Sequence, residues 1–284
     1  MQIAQISDTH LTHRGGLTET NLRCLIAYLN EVARPDVVVI TGDIQVMHPD
    51  DADDRAYARS LAGLLDVPFR AVPGNHDVGE PAEHPWAGLR VTDERVTAFE
   101  ATWGPSYWRE DGVGAVLLGV NSELLGSGLA AEARQWAWLE RTVAELPTAT
   151  PVLLFLHKPL WPVLDEPTEQ QLDVDPVARD RLLALLDAVA LRAVGSGHLH
   201  TYRQRRRGQV IEVWAPSTAF VITDEHERRG GLGEIGYVEY LVGDGVVEAN
   251  FRSIPGLTRT PGRRIPQVAA AADAALAAPG PPTA

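Results

Sequence analysis

Short aliphatic runs that each end in a residue able to do chemistry constrain this chain more than any other feature. Gln2–Ile6, Val37–Ile40, Phe69–Val72, Ala115–Val120, Val152–Leu156 and Ala193–Gly195 read as strands from their length and their Val, Ile and Leu content. Helical patterns lie between most of them. In Leu17–Val32 the apolar Leu22, Leu25, Ile26 and Leu29 share one face, and Tyr57–Leu65, Glu132–Glu145 and Val177–Val189 repeat that spacing. Pro176 opens the last of these at a position where the ring costs no hydrogen bond. Strands alternating with helices predict βαβ units and a largely parallel sheet.

After His200 the texture changes. Gln209–Trp214, Tyr237–Val242 and Val246–Arg252 read as consecutive strands, with Gly243-Asp244-Gly245 as a hairpin turn. The expected fold is therefore α/β, a two-sheet αββα sandwich with mixed sheets rather than a simple doubly wound sheet. Residues 1–257 are expected to form one domain. Residues 258–284 drift to Pro, Gly, Arg and Ala and are expected to be a partly disordered tail, with a short Ala-rich helix over Gln267–Ala278.

Five motifs fall where expected strands end: Asp8-Thr9-His10, Gly42-Asp43, Gly74-Asn75-His76-Asp77, His157 and Gly197-His198-Leu199-His200. Ligands of α/β sheets bind at the carboxyl ends of strands, so the five are expected to meet at one rim. If the chain stays extended through Asp8 and His10, period 2 points both side chains the same way, and His198 and His200 repeat that spacing. Gly42, Gly74 and Gly197 are expected to let the backbone turn sharply there. Taken singly the motifs are weak, since Asp-x-His is often a helix cap and Gly-Asp is an ordinary turn. Together they hold five of the nine histidines.

The chain has one cysteine, Cys24, which excludes an intramolecular disulfide and a cysteine-built zinc site. Any metal must be held by His, Asp, Glu or Asn, an oxygen and nitrogen set that suits Mn, Fe, Zn or Co. A net charge of -13 excludes wrapping of long nucleic acid. A small phosphorylated substrate stays open, because metal ions reverse the local field. The N-terminus lacks a basic stretch followed by an apolar one, and the aliphatic runs are too short to cross a bilayer. The setting expected is cytoplasmic, without membrane contact, and a homodimer is compatible with it.

The ordered pattern D-x-H, G-D, G-N-H-[DE], H, G-H-x-H resembles the calcineurin-like metallophosphoesterases, with every position filled from Gln2 to Tyr202. Ile6-Ser7-Asp8-Thr9-His10-Leu11 and Ala215-Pro216-Ser217-Thr218-Ala219 look most like the bacterial class III cyclic-nucleotide phosphodiesterases and glycerophosphodiesterases. The resemblance implies two divalent or trivalent metal ions (Mn, Fe, Zn or Co). Asp8, His10 and His200 would hold the first, Asn75, His157 and His198 the second, and Asp43 would bridge them. A hydroxide between the metals would attack phosphorus, with His76 facing the substrate as catalytic residue. A phosphomonoesterase on a small metabolite is the alternative. A non-catalytic scaffold is the remote one, since such a protein should have lost ligands and none is missing.

Around this set, Trp86 and Trp161 stand in Pro-containing loops. Each is expected either to wall the substrate pocket or to pin its own loop to the body. Arg203, Arg205, Arg206 and Arg207 read as a charged hairpin in solvent. His13 reads equally as pocket or surface, at least one of Trp136 and Trp138 as core, and His48 and His226 have no nameable partner.

Overall fold

In a computed structural model the described residues are 1–46, 48–81, 89–163, 172–222 and 229–270. Two sheets stack face to face. The first has the order β11-β10-β1-β2-β3 and the second β4-β5-β6-β7-β9-β8. In the first, β1 (Gln2–Ile6), β2 (Val37–Thr41) and β3 (Phe69–Val72) run parallel. β10 (Tyr237–Gly243) joins β1 antiparallel and β11 (Val246–Arg252) follows it. In the second, β5 (Ala115–Gly119), β6 (Pro151–Phe155), β7 (Ala190–Ser196) and β9 (Val210–Trp214) are parallel. β4 (Trp108–Gly112) and β8 (Arg203–Arg207) close its edges antiparallel.

Strand periodicity builds the layers. Ile3, Val37, Val39, Val72, Val238 and Tyr240 turn inward onto Leu117, Leu153, Phe155, Ala193 and Val213 of the other sheet. Ala4, Ile6, Val38 and Ile40 turn outward under α1 (Leu17–Tyr28), α2 (Ala52–Ala62) and α4 (Asp93–Trp103). Val116, Leu118, Val152 and Leu154 do so under α5 (Ala130–Glu145) and α6 (Pro176–Leu186). The αββα sandwich with mixed sheets is what the sequence predicts.

The differences are local. The helix from Leu17 finishes as a π-helical turn over Leu29–Ala33. Helix α2 starts at Ala52, earlier than its apolar spacing suggests, because the Asp51 carboxylate caps it by accepting from the Asp54 N–H. Helix α4, strand β4 and the single-turn α3 (Asn75–Val78) were not anticipated. The β10–β11 hairpin turns on Asp244 and Gly245, both at positive φ, as a two-residue type I′ turn requires. Residues beyond Leu257 continue on the body as far as Ile265, which is buried. Residues 266–270 are helical, and the rest of the Gln267–Ala278 helix lies outside the described residues.

Candidate metal centre

Sheet geometry brings the five motifs together. Asp8, Asp43 and Asn75 follow β1, β2 and β3 of one sheet, and His157, His198 and His200 follow β6 and β7 of the other, so the rim shared by both sheets carries all of them. Gln5 braces that rim from within: its Nε2 donates to Ser196 O across the sandwich at 3.2 Å, and Tyr240 donates to its Oε1. The motif side chains, His76 and His198 apart, are buried.

The backbone reaches this arrangement without staying extended through the motifs. Asp8, His10, Asp43, His198 and His200 have φ of 53°, 44°, 49°, 69° and 50°. They are left-handed rather than extended, a conformation that costs about 1–3 kcal/mol per residue and survives only where the surroundings enforce it. Enforcement is visible in the hydrogen bonds. Asp8 N–H donates to Gly42 O, His10 N–H to Asp43 O and Leu11 N–H to Ile44 O, and the His198 N–H donates to the Asp8 carboxylate at 3.1 Å. Of the three glycines only Gly42 has positive φ, at 82°. All three are needed for close approach: a Cβ on Gly42 would stand 2.5 Å from Gly74 N, one on Gly74 would overlap the Asp43 carboxylate, and one on Gly197 would overlap the Ser7 hydroxyl.

The orientation of the imidazoles bears on what the centre could hold. His10 Nδ1 faces Val46 O at 3.3 Å and His200 Nδ1 faces Phe220 O at 3.0 Å. A carbonyl only accepts, so both Nδ1 atoms carry hydrogens and both Nε2 atoms present lone pairs. Those two Nε2 atoms lie 3.0 Å apart. Protonation does not relieve the contact, because burial, and the neighbouring histidines of His10, lower both pKa values, that of His200 to about 4. Two bare acceptors at this distance fit a cation between them, and Asp8 Oδ1 stands 3.4 Å from the same His200 nitrogen. A second set gathers around His157. His157 Nδ1 donates to Thr41 O at 2.8 Å, and its Nε2 meets Asn75 Oδ1 at 3.1 Å, His198 Nδ1 at 3.2 Å and Asp43 Oδ1 at 3.3 Å. Backbone carbonyls thus orient three of the rings.

Asp43 lies between the sets, Oδ1 toward His157 and Oδ2 3.9 Å from His10 Nε2. His157, His76 and His10 hold its carboxyl well below the usual range despite burial. Burial opposes charge on His157, but Asp43, Asp8 and Glu123 outweigh it and raise the ring to about 10. Burial, with the help of Asp43, pushes Asp8 up to about 7. These donor sets suit divalent metals. Among the described residues, candidate metal-holding groups include Asp8 with His10 and His200, and Asp43 with His157 and His198.

His76 belongs to the same neighbourhood. Its ring stands edge-on to His10 at 4.9 Å, its Nε2 is 3.7 Å from Asp43 Oδ2, and its buried Nδ1 has no hydrogen-bond partner among the described residues. Trp161 packs against the outer core of the second sheet with the Arg207 guanidinium 4.9 Å above its ring, and Trp86 lies outside the described residues. The arginines after His200 form strand β8, the outer arm of an antiparallel hairpin with β9, and Arg206 is exposed while the others are partly covered. Arg205 and Arg207 pair with the buried Glu212, and Arg203 stacks on Trp214. His13 bonds Asp54 at 2.6 Å and is largely exposed, and Trp136 is core. His226 lies outside the described residues, while His48 is 3.8 Å from Asp50.

Three further residues support the centre in roles that the motifs do not assign. Asp77, fully buried, accepts the N–H groups of Ile44, Gln45 and Gly74, tying the Asp43 loop to the Asn75 loop. Its place three residues after Gly74 in a helix-opening motif was the available signal. Lys158 is buried against Glu80 and Glu123 directly behind His157. Phe220 packs on His10 and His200, and no local pattern marks it.

The chain belongs to the calcineurin-like phosphoesterase family, whose pattern it matches over residues 1–202. It is 30% identical over 230 residues to a probable glycerophosphodiester phosphodiesterase GpdQ of Arcobacter nitrofigilis, covering 76% of this chain and 78% of that one. It is 28% identical over 177 residues to the serine/threonine-protein phosphatase CPPED1 of Rattus norvegicus, covering 59% and 54%. Among solved structures it resembles GAP50, the anchor in the inner membrane complex of Plasmodium, with TM-score 0.62 at 12% identity over 88% of this chain and 84% of that one, a likeness of fold alone. The protein is a metal-dependent phosphoesterase, and no described helix is long and apolar enough to cross a membrane.

Proposed function

We propose that this enzyme hydrolyses a small phosphodiester, such as a glycerophosphodiester or cyclic nucleotide, at a centre of two metal ions. The observation that carries the reading is the pair of side-chain clusters, His10 with His200 and His157 with His198, joined by Asp43. Asp8, His10 and His200 would hold one ion, Asn75, His157 and His198 the other, and Asp43, between the two sets, would serve both. When bound, two such ions supply Lewis acidity toward a phosphoryl oxygen and make water a nucleophile near neutral pH. The protein supplies the rest. Val46, Thr41 and Phe220 carbonyls fix three imidazole orientations, and the zipped loops hold the carboxylates in place. His76, its Nε2 3.7 Å from Asp43, stabilises charge on the phosphoryl group or protonates the leaving oxygen. The diester preference leans on the relative named as a glycerophosphodiester phosphodiesterase.

A phosphomonoesterase is the second reading, favoured by the likeness to a protein phosphatase. Purified protein with its metals quantified separates the two on a panel of cyclic nucleotides, glycerophosphodiesters, an aryl diester and the matching aryl monoester. Diester turnover well above monoester turnover is expected, and the reverse order overturns the proposal. Mn, Fe, Zn and Co are the candidate metals.

A further inference from the structure

The chain past Leu257 reaches back to the metal centre. Asn21, fully buried on α1, binds it at the start: Asn21 Oδ1 accepts from the Thr258 N–H at 2.9 Å, and Nδ2 donates to Thr258 O and Ala219 O, each at 3.1 Å. Val221 N–H then donates to Thr260 O at 3.1 Å, and Gly262 N–H returns a bond to Val221 O at 3.0 Å. The turn Gly262–Arg264 sets Ile265 into a small cluster with Ala219 and Phe220. Phe220 is the member of that cluster that touches the centre. Its ring lies 4.9 Å from that of His10 and 4.4 Å from that of His200, and its carbonyl accepts from His200 Nδ1. Phe220 is itself held from the other side, where Ser217 Oγ accepts the N–H groups of Ala219 and Phe220 and donates to Asp8 O. There is no slack beneath the ring: a Cβ on Gly262 would stand 2.6 Å from it.

We propose that Thr258–Ile265 is a strap that acts through Phe220 to hold His10 and His200 at the spacing one cation needs, and so sets the affinity of that position alone. The inference rests on the metal-centre reading above. Its asymmetry comes from the second set: His157, Asn75 and His198 meet Thr41 O, Asp43 and one another, and none of their described hydrogen bonds or ring contacts involves Phe220 or the strap. Phe220 is a positioning residue, since it acts on the imidazoles rather than on substrate. An outer partner of this kind changes metal affinity about 10- to 100-fold when it is disturbed.

The test titrates Mn2+ alone into metal-free protein and follows the free ion by electron paramagnetic resonance, so the readout is occupancy rather than turnover. Wild type is expected to take up two ions. Uptake of none overturns the metal-centre reading and the strap with it. Gly262→Ala drives a methyl into the Phe220 ring and is expected to weaken one of the two steps about 10- to 100-fold. In an Asn75→Ala background, where the His10/His200 position remains, the same substitution is expected to weaken the remaining ion. In a His200→Ala background it is expected to change nothing. Equal weakening in both backgrounds, or none in either, overturns the strap while leaving two bound ions in wild type. Ile265→Val removes a methylene beside the ring without a clash and is expected to act in the same direction. It decides the question if the Gly262→Ala protein does not fold.

Discussion

Replacing Gly42 by alanine isolates how tightly the rim is packed. Gly42 sits at φ 82°, where an L side chain costs about 1–2 kcal/mol. Its new Cβ would stand 2.5 Å from Gly74 N and 2.6 Å from His157 Nδ1, so one methyl presses on two loops of the centre at once. Overpacking of that kind costs about 1–3 kcal/mol. The loss of glycine's freedom in the unfolded chain offsets about 0.4–1 kcal/mol. The net destabilisation is about 2–4 kcal/mol, below the 5–15 kcal/mol typical of a native domain, so the variant stays folded. Gly114 is the control, because it has the same φ of 82° and nothing within 4 Å of its added Cβ. Urea unfolding of the metal-free proteins reads both, with the midpoint reporting stability while the slope stays constant. Gly114→Ala should lose only the backbone part, about 1 kcal/mol. Gly42→Ala should exceed it by about 1–3 kcal/mol and lose metal content, since His157 and the Asn75 loop are both pushed. Equal losses in the two variants would refute the claim that Gly42 is required for close approach.

Three further outcomes follow from the site. His76→Ala should keep its metals and lose turnover by about 10²–10⁴-fold, checked by elemental analysis beside steady-state rates; unchanged turnover would remove His76 from the chemistry. Lys158→Met leaves the Glu80 and Glu123 carboxylates buried together without their cation and should cost about 3–5 kcal/mol in urea unfolding, whereas an unchanged midpoint would mean the ion pairs are energetically idle. Metal binding should release protons at pH 7. Burial has Asp8 titrating at about 7, and Asp43 with its neighbours keeps His157 protonated up to about 10, while His10, His198 and His200 are lowered and already neutral. The ion competes with those two protons, so affinity should rise as pH goes from 6 to 9, and calorimetry in buffers of different ionisation enthalpy counts the release. A binding enthalpy independent of buffer would contradict it.

The strands that build the centre were legible because each is short, aliphatic and bounded by polar motifs. Gln2–Ile6, Phe69–Val72 and Val246–Arg252 have the bounds their composition suggests. Helix α4 was not, since its apolar residues give little periodic signal and its start depends on the Thr92 hydroxyl accepting from Arg95 N–H. The arginines of β8 read as solvent residues because the Glu212 that pairs with Arg205 and Arg207 faces them only across the β8–β9 ladder.

The sequence alone determined the class of fold and the order of the motif residues, because strand and helix periodicity and the chemistry of side chains are local properties. Tertiary structure decided how those residues face one another. The left-handed turns at Asp8, His10, Asp43, His198 and His200 exist only because loops from separate strands hydrogen-bond across the rim and hold them there. Which imidazole nitrogen points inward is set by the carbonyls of Thr41, Val46 and Phe220, which stand 116, 36 and 20 residues along the chain from the rings they orient. Long-range hydrogen bonds and packing fix such choices, and no local pattern in one chain records them.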